Sequence, residues 1–208
     1  MNLKKRFGLQ QENFRMLHTN PDLQDEMLAK IFSWIPKQPK ECVVVCIGTD
    51  RSTGDALGPL TGTYLTEMQP KNLTIYGTLK YPVHATNLSD YIQLIGEAHQ
   101  QSFIIAIDAG LGKSGSVGYL IAGKGSIKPG AALNKPLPPV GDVHITGVVN
   151  VGGFMEASVL QNTRLSIVSD MAHKTADLLS GFDRQLSREK FSPSLGLKSN
   201  KKGTLHYM

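Results

Sequence analysis

Two short runs constrain this chain more than anything else in it. Cys42-Val43-Val44-Val45-Cys46-Ile47 and Phe103-Ile104-Ile105-Ala106-Ile107 are apolar at every position and rich in β-branched residues. Runs of this length without polar alternation read as strands covered on both faces, the habit of parallel sheets. The first spans 41–48 and the second 103–109, and a further strand is expected at 73–79 between them. Helical spacing takes over elsewhere. Leu23, Met27, Leu28, Ile31 and Phe32 mark a helix over 22–34 that ends before Pro36 and Pro39. A second helix runs from Pro59 through Leu65, and a third covers 88–98 with Asn87 or Ser89 as its cap. Residues 115–125 look like a hairpin arm, 126–141 a long Pro/Gly-rich connection, and 143–149 another strand. A long helical period then occupies 156–186, through Val159, Leu160, Ile167, Val168, Met171, Ala172, Ala176 and Leu179. Strands alternating with helices predict an α/β fold, a mostly parallel sheet with helices on both sides.

With 208 residues the chain is long enough for one well-buried α/β domain and too short for two. Residues 1–20 show no strong period and are expected to run over the surface; 190–208 read as a polar tail. The net charge of +5 gathers near the ends, in Lys4-Lys5-Arg6 and in Arg184, Arg188, Lys190, Lys198, Lys201 and Lys202. No aromatic residues interleave with them to stack on bases, so nucleic acid is not an expected partner. No stretch approaches the length of a membrane span and no export signal opens the chain, so a cytoplasmic location without membrane contact is expected. Cys42 and Cys46 are four apart, too awkwardly placed on one strand to bridge, and read as buried thiols of a reducing compartment.

The chemistry is expected beyond the carboxyl ends of the strands, where open parallel sheets bind ligands. After the first strand comes Gly48-Thr49-Asp50-Arg51-Ser52-Thr53-Gly54-Asp55-Ala56-Leu57-Gly58-Pro59; after the third comes Asp108-Ala109-Gly110-Leu111-Gly112. A strand order two-one-three would set Asp108 beside the loop carrying Asp50 and Asp55. Proline suits a first helical position, which makes Gly58 the expected cap and leaves Asp55 in the loop. Asp55 has an ordinary alternative as a turn or capping residue. Asp108 follows five apolar residues, where an acid is costly unless paired or used; its plainer role would be to bond the amides of Gly110 to Gly112. Two neighbouring carboxylates separate in pKa, and one protonated beside one charged acid suits hydrolysis of an amide through an activated water. Asp50 is a further loop acid that Arg51 could hold as an ion pair. The glycine-rich loops fit neither a P-loop nor a dinucleotide fingerprint, and no His-x-x-x-His spacing occurs.

Several short motifs in order carry a resemblance over roughly residues 41–180. Gly54-Asp55-Ala56-Leu57-Gly58-Pro59, Ala106-Ile107-Asp108-Ala109 and Lys128-Pro129-Gly130 are similar to stretches of the spore germination protease. Pro82-Val83-His84-Ala85-Thr86-Asn87-Leu88, Asn150-Val151-Gly152-Gly153-Phe154-Met155-Glu156 and Leu160-Gln161-Asn162-Thr163-Arg164-Leu165 resemble the YyaC-type sporulation proteins, a branch of the germination protease and hydrogenase-maturation peptidase superfamily. The resemblance implies a three-layer α/β/α fold of the phosphorylase/hydrolase-like, hydrogenase-maturation peptidase type. It implies Asp55 and Asp108 as a catalytic pair and a protein substrate or partner in the spore or sporulating cell, forespore or mother cell. The maturation peptidases use acids at similar places, with a histidine, to contact their substrate's metal. His144 is the first positional candidate for that histidine and His84 the second, with Asp50, His84 and His144 as expected site neighbours. No cofactor is expected; if a metal is bound, Asp55, Asp108 and His144 would hold it. Aspartate-dependent peptide hydrolysis in sporulation or germination is the leading expectation. The alternatives are a catalytically idle relative that binds a protein partner and a metal-binding accessory protein.

Overall fold

The computed structural model describes residues 12–36, 39, 41–129 and 137–191. Gly130 of the Lys-Pro-Gly motif, His206, and most of the expected tails lie outside the described residues. The strands are β1 (Asn13–Leu17), β2 (Glu41–Cys46), β3 (Leu73–Tyr76), β4 (Ser102–Gly112), β5 (Tyr119–Lys124) and β6 (Val143–Val151). The helices are α1 (Leu23–Phe32), α2 (Leu57–Glu67), α3 (Leu88–Ala98), α4 (Glu156–Gln161) and α5 (Leu165–Phe191). One six-stranded sheet has the order β1-β5-β6-β4-β2-β3. The pairs β2–β3, β2–β4 and β4–β6 are parallel, while β5 and β1 close one side antiparallel. The first, second and third strands of the sequence reading thus stand in the expected order two-one-three.

Side-chain alternation sorts the strands onto two apolar layers. Val44, Cys46, Ile105, Ile107, Val143 and Ile145 face α1, α2 and α5, together with Met27, Leu57, Met171 and Phe182. Val43, Val45, Ile47 and Ala106 face the other way, onto Leu88 and Ile95 of α3. Burial on both sides is why the central strands need no polar alternation. Both cysteine side chains are buried, and burial drives the Cys46 thiol far above its ordinary pKa. Among the described residues no helix is long and apolar enough to cross a membrane.

Three sequence expectations change. Residues 13–17, expected to wander, form β1 on β5, with Phe14 and Met16 packed on the core between exposed Asn13, Arg15 and Leu17. Two inward residues are too few to register as a period in the sequence. The long period over 156–186 is broken into α4 and α5 at Asn162-Thr163-Arg164. There Thr163 Oγ1 donates to the Val159 carbonyl and accepts from Asn150 Nδ2, drawing the turn onto β6 instead of onward. Asn87 does precede α3, but its side chain accepts from the His84 N–H and donates to the Pro82 carbonyl rather than capping the helix amides.

The turn out of β2 requires glycine. Gly48 has φ of 149°, and a Cβ there would overlap the Asp55 carbonyl oxygen. Gly58 is needed for close approach, because a Cβ would overlap the Ile47 carbonyl oxygen. We expect Gly48→Ala to cost about 1–3 kcal/mol in denaturant unfolding, through strain and overlap together. An unchanged unfolding midpoint would show that the turn relaxes freely.

Candidate functional site

The site begins where β2 ends. The Ile47 N–H still donates to the Ile107 carbonyl at 2.7 Å, but Gly48 then turns the chain away, its N–H bonded to Val83 O. Among the described residues, β4 continues without a strand partner on that side for five more residues, Asp108 to Gly112, paired with β6 on the other. Asp108 therefore stands inside a strand, opposite Thr146, and does not follow one as the sequence suggested. Its Oδ1 accepts the N–H of the next residue, Ala109, at 2.9 Å, and not those of Gly110 to Gly112.

The segment leaving β2 folds back over this gap. The Thr49 N–H donates to the Asp55 carbonyl at 3.1 Å, which closes the loop and fixes Asp55 above the sheet end. Asp55 lies in a 3₁₀ turn, Gly54–Ala56, that runs directly into α2. Gly58 is accordingly not a cap. Helix α2 opens at Leu57, and Pro59 occupies its third position, where its missing N–H still leaves no intrahelical bond unmade.

Asp55 and Asp108 line one cleft of about 320 Å³. Ala109, Gly110 and Leu111 form its floor with Thr146; Ser52 lies beside Asp55; Glu156, Leu160 and Gln161 of α4 close one wall, and Ile127 and Lys128 another. The two acids feel each other. Burial, and then the charge of Asp55, push the Asp108 carboxyl up to about 8, with the Ala109 N–H pulling partly back. As a residue Asp108 keeps some solvent exposure, but its carboxyl is packed closely enough for desolvation to dominate. Burial also raises Asp55, and Ser52 offsets part of that rise. Ser52 Oγ is buried without a hydrogen bond of regular geometry among the described residues, so it acts as a nearby dipole and not a formed partner. At neutral pH this leaves Asp108 as the group holding a proton.

The other expected neighbours are elsewhere. Asp50 is exposed and does not line the cleft, and Arg51 bonds Thr49 Oγ1 through its N–H and Nε at 3.3 Å. His84 sits beyond the Ile47–Val83 bridge, its Nδ1 2.9 Å from Thr86 Oγ1, outside the cleft lining. His144 pairs with Ala106 and Gly123, and its Nδ1 donates to the Gly125 carbonyl at 2.9 Å. Its imidazole packs over the backbone of Gly123, where a Cβ would overlap Nε2 and Cε1. The set Asp55, Asp108 and His144 is therefore not assembled, and no group of three His, Cys, Asp or Glu side chains suited to a metal occurs among the described residues. Sequence reasoning did not assign Lys128, Thr146, Glu156 or Gln161 to the site. Three of these lie in or beside the motifs that carried the resemblance, which was the available signal.

The chain belongs to the family described as "Protein of unknown function (DUF1256)", whose model matches residues 15–177. It is 54% identical over 155 residues to "Uncharacterized protein YyaC" of Bacillus subtilis (strain 168), covering 74% of this chain and 76% of that one. Its fold is similar to the crystal structure of a [NiFe] hydrogenase maturation protease, HycI, from Thermococcus kodakarensis KOD1. The TM-score is 0.54 at 19% identity, over 76% of this chain and 99% of the other.

The raised Asp108 pKa has a consequence for stability. The folded protein holds a proton that the unfolded chain, with a carboxyl near about 3.9, releases. Stability from this group is thus fully present below about pH 4 and lost as pH rises toward about 8. Wild type should lose stability relative to Asp108→Asn across that window in denaturant melts. A difference that stays constant with pH would contradict the assignment.

Proposed function

We propose that this family member is a peptidase in which Asp55 and Asp108 hydrolyse a peptide bond of a protein substrate in the sporulating or germinating cell. The observation that carries the reading is two acids on one cleft whose surroundings push their proton affinities apart. The fold similarity to a maturation protease supports the peptidase class, and the sequence resemblance to spore proteins supports the setting.

In this reading Asp55, as carboxylate, takes a proton from a water held between the acids. The resulting hydroxide attacks the substrate carbonyl carbon, and the carbonyl π pair moves onto oxygen. Collapse of the tetrahedral intermediate breaks the C–N bond, and the neutral Asp108 gives its proton to the departing amine. Asp55 ends protonated and Asp108 ionised, and one proton exchanged through solvent restores the pair. The division of roles follows from the larger upward displacement of Asp108, and the two acids titrate as a coupled pair.

A binding relative without turnover is the second reading, favoured by one observation. Phe154 is 99% and Met155 76% exposed, beside the cleft-lining Glu156, as a surface that contacts another protein would be.

Incubation with small acid-soluble spore proteins, read by mass spectrometry, separates the two. Asp55→Asn and Asp108→Asn should each slow cleavage by about 10²–10⁴-fold while melting cooperatively, because an amide neither accepts nor returns the proton. The rate should fall as pH rises through about 8, where Asp108 loses its proton, and also at low pH, where Asp55 gains one. Cleavage unchanged in both variants would overturn the mechanism; no cleavage by wild type would favour the binding reading.

A further inference from the structure

Among the described residues, the floor of the cleft is a strand edge with no strand partner. Odd-numbered residues of β4 direct their peptide groups toward β2, as the bond from Ile47 N–H to Ile107 O shows. The next peptide group in that row belongs to Ala109. With β2 gone, its N–H turns to Asp108 Oδ1, a side chain of its own strand. Residues 108–112 are each partly exposed, whereas 105–107 are buried. At about 3.3 Å per residue this edge spans about 16 Å. An edge of this kind is satisfied by another extended backbone, which supplies alternating donors and acceptors at the sheet spacing.

Two further features define what would lie there. The side chains that reach the cleft include the acids Asp55 and Glu156 against one base, Lys128, while Asp108 is the protonated partner. Charge complementarity favours a segment carrying Lys or Arg over one carrying Asp or Glu. The free edge also ends at Gly112, paired with Val151, and the chain leads from there to the exposed Phe154 and Met155. A polypeptide leaving the cleft at that end would meet an apolar tip.

We propose that the cleft takes an extended, basic polypeptide segment as an added strand on the edge of β4 beyond Ile107, which lays a backbone peptide group across Asp55 and Asp108. This rests on the peptidase reading for its catalytic consequence but not for the binding itself. Among the described residues the outer strands β1 and β3 also present an edge without a strand partner, away from the acid cleft, so the location of binding discriminates.

The test uses full-length Asp108→Asn protein, in which the Asn oxygen still accepts from Ala109 and cleavage is disabled. Random octapeptides displayed on phage are selected against it. The selected sequence is then synthesised with single N-methyl groups at each position in turn. We expect Lys- or Arg-containing binders. N-methylation should weaken binding by about tenfold or more at every second residue and by less than about twofold between, as a strand bonded along one edge requires. Hydrogen exchange should slow within 109–112. The proposal is overturned by failure to select a binder, by acidic binders, by loss without a two-residue period, or by protection at β1 or β3. A peptide that binds in this way but is not cut by wild type leaves strand addition standing and removes the peptidase reading.

Discussion

Neighbouring parallel strands of unequal reach create the cleft on which Asp55 and Asp108 meet. Strand β2 surrenders its last bond to β4 at Ile47, and β4 goes on to Gly112. The gap would be an ordinary solvated notch if the chain leaving β2 departed outward. Instead Gly48 and Gly58, the first through a backbone shape few residues adopt and both through bare contact with carbonyl oxygens, fold the 3₁₀ turn and the start of α2 back over the strand end. Asp55 is carried to the gap by that fold-back, and Asp108 is already in it. Burial first, and the neighbouring charge of Asp55 second, then raise the proton affinity of Asp108, because two carboxyls in a partly dry cleft cannot both hold charge cheaply.

The cleft walls come from parts of the chain distant in sequence. Short helix α4 lies beyond β6 and faces the 3₁₀ turn, with Leu160 against Gly54. Its separation from α5 matters for this, since one continuous helix would carry Glu156 and Gln161 along the α5 axis. Thr163 enforces the break by bonding back to Val159 and across to Asn150 of β6. The connection after β5 supplies Lys128, anchored by the bridge of Ile127 to Val140.

Much of this was legible from residue pattern alone. The uninterrupted runs at 42–47 and 103–107 identified doubly covered strands, and an acid placed directly after one of them was conspicuous because burial makes it costly. The motifs that carried the family resemblance were informative for a physical reason: those at 54–59, 106–109 and 160–165, together with Lys128 and Glu156, converge on one cleft. What the pattern hid was of two kinds. Strand β1 and the α4–α5 break depend on partners far along the chain, Ala122 and Leu120 for Phe14 and Met16, Asn150 for Thr163. His144 misled because position along a strand fixes which face a side chain leaves from, not where its ring settles. The Gly125 carbonyl and the bare backbone of Gly123 claim that ring.

The proposed chemistry requires Asp108 to be the protonated member of an interacting pair at neutral pH. A carbon-detected NMR titration of the aspartate side-chain carboxyls measures this directly, in wild type and in Asp55→Asn. Asp108 should titrate with a midpoint of about 8 in wild type, moving down when the Asp55 charge is removed. An Asp108 midpoint near the ordinary value of about 4, unmoved by that substitution, would contradict it.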